Sequence, residues 1–273
     1  MKNWLWLFFI PSLLVAQISK PRSPITPQAP WSTDLFRAYI LSPDDSTNGS
    51  TTGGVNDWSP IGVNGNATNA AGWTNQGDES PGFSCSAGIY IFGDSLNGLG
   101  ITDQLTIVQR LKVTCAGACW GSLAYTDHVG CSPCQSFYLD DIDTDADAST
   151  WNIDNGGGLV TVSAGDLGNT NDLITIIATY DGDSIRVYLN GTYKAGEALT
   201  GNLISTSAYD LRLGLSYVGG SFRQWTGVLL ATYLWKRVLS DSERNAIVTD
   251  PYVMFRAETY QTSDDSFYRR RLQ

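Results

Sequence analysis

The stretch Leu173-Ile174-Thr175-Ile176-Ile177-Ala178-Thr179-Tyr180-Asp181-Gly182-Asp183-Ser184-Ile185-Arg186-Val187-Tyr188-Leu189-Asn190-Gly191 carries the fold in miniature. Leu173 to Tyr180 is an apolar, β-branched run of the kind that fills a buried strand. Asp181-Gly182-Asp183 turns the chain. Ser184 to Leu189 then alternates polar and apolar, as a half-buried strand does. Asn190-Gly191 follows, the strongest short hairpin signal.

The same pattern extends in both directions. Leu105 to Val113 reads as a strand that alternates over its second half. Leu211-Arg212-Leu213-Gly214-Leu215 and the run from Gly227 to Trp235 continue the series. Asp outnumbers Glu by 23 to 4, and there are 28 Gly, a balance that favours turns over helices. Many short strands joined by Gly, Asp and Asn turns predict an all-β antiparallel sandwich or barrel. One short helix is expected. Ser240-Asp241-Ser242-Glu243 is a capping box, Ala246, Ile247 and Val248 give the helix an apolar side, and Asp250-Pro251 stops it.

Composition removes whole classes of function. The chain of 273 residues has 17 Lys and Arg against 27 Asp and Glu, a net charge of −10, which argues against a nucleic-acid partner. The single histidine, His128, argues against His-based triads and multi-His metal sites. Gly156-Gly157-Gly158 precedes a strand and not a helix, so it is no phosphate cradle. Lys2 and the apolar run Trp4 to Ala16 read as a secretory signal over residues 1–16, with Leu14-Val15-Ala16 as the cleavage site; an uncleaved anchor or a buried strand are the other readings. No later segment is long and apolar enough for a membrane span. Pro21, Pro24, Pro27 and Pro30 mark an extended linker over 17–33. The domain is expected over 34–256, and 257–273 reads as a polar tail.

These residues resemble a family. Thr179-Tyr180-Asp181-Gly182 with Val187 to Gly191, then Leu211 to Gly214, then Trp225-Thr226-Gly227 with Tyr233 to Glu243, look like the C-terminal half of LamG-like, concanavalin A-like lectin/glucanase domains. Pro251-Tyr252 and Phe255 match the family's Pro-aromatic exit, Tyr90 to Leu96 a middle strand, and Phe36-Arg37-Ala38-Tyr39 the first strand. The resemblance implies an antiparallel two-sheet jelly-roll sandwich with one short C-terminal helix. It also implies ligands that are sugars or proteins, often with Ca²⁺ at a loop rim.

The chain departs from that family at Cys115, Cys119, Cys131 and Cys134. Three readings stand open: two disulfides in an oxidising compartment, a Cys₄ zinc site in a reducing one, or free thiols. Cys85, the fifth cysteine, reads as a buried free thiol, with an intermolecular bridge as the other reading. Asp143, Asp145 and Asp147 fall at alternate positions, as oxygen ligands of calcium do, but Ala148 stands where an EF-hand needs Gly. A solvated acidic loop is the plainer reading. Trp58, Trp73, Trp120 and Trp151 lie in Gly-, Asn- and Asp-rich sequence and are the candidates for an exposed ligand-binding platform. Trp225 and Trp235 are expected in the core. The Glu-x-Asp-x-x-Glu strand of the related glucanases is missing, so no catalytic residues are assigned.

The expected function is a non-catalytic recognition module, secreted or displayed on a surface. It binds carbohydrate or another cell-surface ligand through loops at the sandwich rim, its partner being a glycan or a surface protein. The alternatives are a structural or adhesion component of a virion, phage tail or appendage, and a glycoside hydrolase.

Overall fold

The computed structural model describes residues 27, 30–41, 54–62, 64–68, 73–74, 82–85, 91–95, 103–113, 120–127, 137–142, 150–155, 158–165, 173–203, 210–218 and 221–255. They form two stacked antiparallel sheets of eight strands each, a separate two-stranded hairpin, and one helix. The expected two-sheet jelly roll is therefore what the chain adopts.

The first sheet contains β1 (Leu35–Ile40), β4 (Trp73–Thr74), β5 (Gly82–Cys85), β7 (Leu105–Val113), β12 (Leu173–Tyr180), β13 (Ser184–Leu189), β14 (Thr192–Ala198) and β18 (Gly227–Trp235). Its order is β14-β13-β12-β7-β18-β5-β4, and β1 also pairs with β18. One edge of β18 is thus shared: its first half pairs with β5 and its second half with β1. The second sheet contains β2 (Gly54–Val55), β3 (Gly65–Ala67), β6 (Ile91–Ser95), β8 (Trp120–Asp127), β9 (Phe137–Ile142), β10 (Thr150–Asp154), β11 (Leu159–Ser163) and β15 (Asp210–Leu213). Its order is β11-β10-β9-β8-β15-β6-β3-β2. The hairpin is β16 (Leu215–Val218) with β17 (Ser221–Gln224).

The main core lies between the sheets. Ile174, Ile176, Ala178 and Tyr180 of β12 meet Phe137, Leu139, Trp151, Ile153 and Leu211 of the opposite sheet. Trp151 bridges the layers directly, its indole Nε1 donating to the Thr179 carbonyl at 3.1 Å. A second apolar cluster covers the other face of the first sheet. There Val108, Ile177, Ala231, Tyr233 and Trp235 pack beneath Ile247 of the helix and beneath Tyr252, Met254 and Phe255. Cover on both faces explains why β12 and β18 are continuous apolar runs and not alternating ones. A register shift between Leu229 and Ala231 in β18 switches which parity faces the core. Leu229 points inward and Ala231, Tyr233 and Trp235 point outward, while Leu234 points in again.

Local chemistry sets the turns. Asn190 and Gly191 have φ of 49° and 80°, the left-handed pair of a two-residue hairpin. The Asp181 carboxylate accepts the Ser184 amide at 2.7 Å and Arg186 Nη1 at 2.6 Å. Partial burial pushes that carboxyl up, but the bonds from Arg186, Asp183 and Ser184 outweigh it and hold it below the usual Asp range. The helix α1 (Asp241–Thr249) starts on the expected capping box: Ser240 Oγ accepts the Glu243 amide at 3.3 Å, and Glu243 Oε2 accepts the Ser240 amide at 2.8 Å. No helix among the described residues is long and apolar enough to cross a membrane.

The Pro-rich stretch expected as a linker up to residue 33 is docked over its last part. Pro27 is buried, and Trp31 packs against the outer cluster while its carbonyl accepts Trp235 Nε1 at 2.9 Å. Arg237 donates to the carbonyls of Thr33 at 3.1 Å and Pro30 at 3.4 Å. The folded unit therefore takes in residues before 34.

Candidate functional site

The outer faces of the two sheets differ. That of the first sheet is closed by α1 and the turn Val253–Phe255. That of the second sheet carries polar side chains where strands alternate. In β10, Trp151 and Ile153 face the core, so Asn152 faces out. In β11 and β15 the same alternation turns Thr161 and Arg212 outward, between Val160 and Val162 and between Leu211 and Leu213.

The register joins these positions into one line. Thr161 lies opposite Asn152, Asn152 opposite Tyr138, Tyr138 opposite Tyr125, Tyr125 opposite Arg212, Arg212 opposite Phe92, and Phe92 opposite Asn66. Directly opposed residues of antiparallel strands share a face. Six inter-strand steps make the line about 29 Å long. Arg212 is the one basic residue in the eight strands of this sheet, and by register it stands between the aromatic positions 125 and 92.

The polar groups at one end are already oriented. Thr161 Oγ1 donates to Asn152 Oδ1 at 2.6 Å, and Asn152 Nδ2 donates to Thr150 Oγ1 at 3.0 Å and to the Thr150 carbonyl at 3.2 Å. Asn152 and Arg212 are largely buried, whereas Asn66 and Thr161 are exposed. The line therefore combines a held amide at Asn152 and a largely buried guanidinium at Arg212 with exposed ends at Thr161 and Asn66. Farther along the same face, Asp210 lies opposite both Asp127 and Ser95.

Of the aromatic candidates read from the sequence, Trp151 and Trp58 lie in different clusters, one between the sheets and one outside the first sheet. Trp151 is fully buried in the inter-sheet core, which corrects its reading as an exposed loop aromatic: its neighbours Asn152 and Asp154 imitate a loop in composition while the backbone runs as β10. Trp58 is half-buried in the cluster on the outside of the first sheet, edge-on to Phe255 at 5.9 Å between ring centroids. Trp73 opens β4, opposite Phe83, and Trp120 opens β8, opposite Ile142. Trp225 and Trp235 are fully buried.

Asp143, Asp145 and Asp147 lie outside the described residues, as do Cys115, Cys119, Cys131, Cys134 and His128. Among the described residues there is no group of three or more His, Cys, Asp or Glu able to hold a metal. Cys85 is a buried free thiol in β5, and burial pushes its pKa far up.

Asn152, Thr161, Arg212, Asn66 and positions 92, 125 and 138 were missed as site candidates. The signal that marks several of them is a polar or aromatic residue between two core residues, as in Trp151-Asn152-Ile153, Leu211-Arg212-Leu213 and Phe137-Tyr138-Leu139.

The profile described as the concanavalin A-like lectin/glucanases superfamily matches residues 91–243, more than half of the chain. The chain belongs to that superfamily. No curated protein sequence matches it. Among solved structures, it is similar to domain 4 of AbnA, an extracellular GH43 arabinanase from Geobacillus stearothermophilus in complex with arabinotriose. The TM-score is 0.55 at 11% identity over 79% of this chain and 98% of that one. It is similar to the binding domain of Paraclostridial Mosquitocidal Protein 1, with TM-score 0.56 and 12% identity over 79% of this chain and 52% of that one. It is also similar to the botulinum neurotoxin serotype D binding domain, with TM-score 0.57 and 11% identity over 80% of this chain and 51% of that one. The chain thus spans about half the length of the two toxin chains, and at these identities the likeness describes the fold.

Proposed function

We propose that the protein is a non-catalytic recognition module that binds a glycan along the outer face of the second sheet, outside the cell. The observation that carries this is the line Thr161–Asn152–Tyr138–Tyr125–Arg212–Phe92–Asn66. Sugars present hydroxyls around an apolar ring face. The line offers exposed polar residues at its ends, Asn66 and Thr161, a guanidinium at Arg212, and aromatic positions between them, which together suit both kinds of contact. A hydrogen bond from a charged donor contributes about 1.5–3 kcal/mol, which makes Arg212 the expected anchor. The superfamily supports the reading, as does the fold shared with an arabinanase domain solved with arabinotriose. A glycan array probed with the full chain and with Arg212→Ala tests it. Wild-type binding to a defined glycan class, lost in the variant, supports the proposal; no binding to any glycan contradicts it.

A second reading keeps the sandwich as a structural or adhesion part of a virion or appendage, binding protein. The uncharged edge strand β11 favours it. Retention in purified particles without sugar affinity would support that reading over the first. The calcium expected at Asp143, Asp145 and Asp147, and the disulfides or zinc at the four clustered cysteines, belong to the proposal as well. Native mass spectrometry before and after chelation and reduction reads all three.

A further inference from the structure

Among the described residues the two sheets end in five edge strands, and four of these are blunted against pairing with another chain. β2 and β4 are two residues long. The open side of β1 is covered by residues 57–58: the Trp58 amide donates to the Ala38 carbonyl at 2.8 Å, and Asp57 Oδ1 accepts the Ala38 amide at 2.8 Å. β14 carries Lys194 and Glu197, and its pairing with β13 slips at Val187/Tyr188. Short strands, charges, bulges and cover are the usual defences of an exposed edge.

Among the described residues, β11 shows no charge, no bulge and no covering segment. Leu159-Val160-Thr161-Val162-Ser163 contains no charge and no proline, and three of its five residues are β-branched. Its described strand partner is β10, and it ends its sheet. Leu159 is 50% exposed, and Thr161 and Ser163 are exposed as well. On the same side of the sandwich, Asn155 Nδ2 donates to the Thr200 carbonyl at 2.8 Å, holding the β10–β11 hairpin near the end of β14. Tyr193 of β14 is 55% exposed. The well-exposed large apolar side chains among the described residues are Ile61, Leu159 and Tyr193, so two of the three sit along these neighbouring edges.

We infer that β11 is the pairing edge for a second copy of this chain, the two β11 strands running antiparallel about a two-fold axis at Thr161. In that register Thr161 opposes Thr161 of the second copy, and Leu159 opposes Ser163. Opposed Thr pairs are favourable across antiparallel strands, and the isologous arrangement needs one self-complementary patch. Charge selects this edge: each copy carries a net −10, so two copies repel over most of their surface, and an uncharged strand is where they approach at least cost. Pairing here fuses the two second sheets into one and keeps their outer faces on one side. The polar lines then meet end to end at Thr161, giving a bivalent face.

Sedimentation velocity of the full chain over a range of concentrations reads the pairing. The expected result is a dimer, and a mass halved by the double substitution Leu159→Lys with Ser163→Lys, which sets lysine opposite lysine at both ends. The double substitution Leu159→Glu with Ser163→Glu is expected to be monomeric too. An equimolar mixture of the two variants is expected to recover the dimer, because each lysine then meets a glutamate. A wild-type monomer at every concentration overturns the inference, as does a dimer indifferent to the substitutions, or monomeric variants that fail to recombine. Binding of a glycan by one copy does not require the pairing, so a glycan-binding monomer overturns this inference and leaves the proposed function standing.

Discussion

Arg237 clasps Glu243 with both terminal nitrogens, Nη1 to Oε2 at 2.9 Å and Nη2 to Oε1 at 2.6 Å. Each partner also acts elsewhere, since Glu243 caps α1 and Arg237 holds the carbonyls of Pro30 and Thr33. One ion pair therefore ties the helix start to the docked N-terminal segment. Glu243→Gln, which keeps the shape and removes the charge, is expected to cost about 1–2 kcal/mol at pH 7 by urea denaturation.

The same pair sets a pH dependence. Burial pushes the Glu243 carboxyl up, but the bonds from Arg237 and Ser240 more than offset it and hold the pKa below the usual value. A depressed folded pKa gives stability that is present above the unfolded value and lost as pH falls through the folded one. The loss should begin below about pH 4.3, the ordinary Glu value. The stability gap between the wild-type chain and Glu243→Gln should accordingly narrow as the pH drops below that point. A gap that widens on acidification would refute the assignment.

Asp57 and Arg37 form a buried ion pair, with Arg37 Nη1 3.7 Å from Asp57 Oδ2 and side-chain exposures of 0% and 1%. Asp57 also accepts the amides of Ala38 at 2.8 Å and Ser59 at 2.9 Å. Asp57→Ala removes the carboxylate beside a buried cation and leaves two amides without this acceptor. The expected loss is about 3–5 kcal/mol, measured by chemical denaturation. A loss under about 1 kcal/mol would mean that the pair is solvated in solution.

Trp225 lies against Gly227. A Cβ at Gly227 would sit 2.3 Å and 2.4 Å from two carbons of the indole and 2.8 Å from the Lys112 carbonyl. Both the ring and β7 would have to move, so Gly227→Ala is expected to lower stability by about 1–3 kcal/mol. Its thermal midpoint against wild type checks this.

Cys85 should be inert in the folded protein. It is fully buried and its thiol is pushed far from ionisation, whereas thiolates are the reactive species. Peptide-resolved alkylation under mildly alkaline conditions should leave Cys85 unmodified until denaturant is added. Labelling at native rates like those of an exposed thiol would contradict the packing of β5.

Much of the architecture is readable from local patterning. The strands Leu105–Val113, Ser184–Leu189 and Gly227–Trp235 and the Ser240 cap lie where apolar alternation and turn chemistry put them. Those signals are a matter of adjacent side chains and the turns between them. The site is not local. Asn66 and Arg212 share a line only because β3, β6 and β15 become neighbours, and pairing order is not written in any one segment. Trp151 misled for the opposite reason: the Asn and Asp beside it read as a loop, but they belong to a strand whose outward position, Asn152, is polar. Nor did the prolines before residue 34 announce that Trp31 would dock on Trp235, because that contact joins residues 204 apart in sequence.

The most direct test of the account is the affinity of the full chain for the best array-identified glycan, measured by titration calorimetry with Arg212→Ala and Asn66→Ala alongside Trp151→Phe. Arg212→Ala should weaken binding by about tenfold or more and Asn66→Ala by less, with circular dichroism showing all variants folded. Trp151→Phe, altered only inside the core, should bind as wild type does at a temperature where it is folded. Unchanged affinity in both face variants, or a loss confined to Trp151→Phe, would contradict a glycan site on the second sheet.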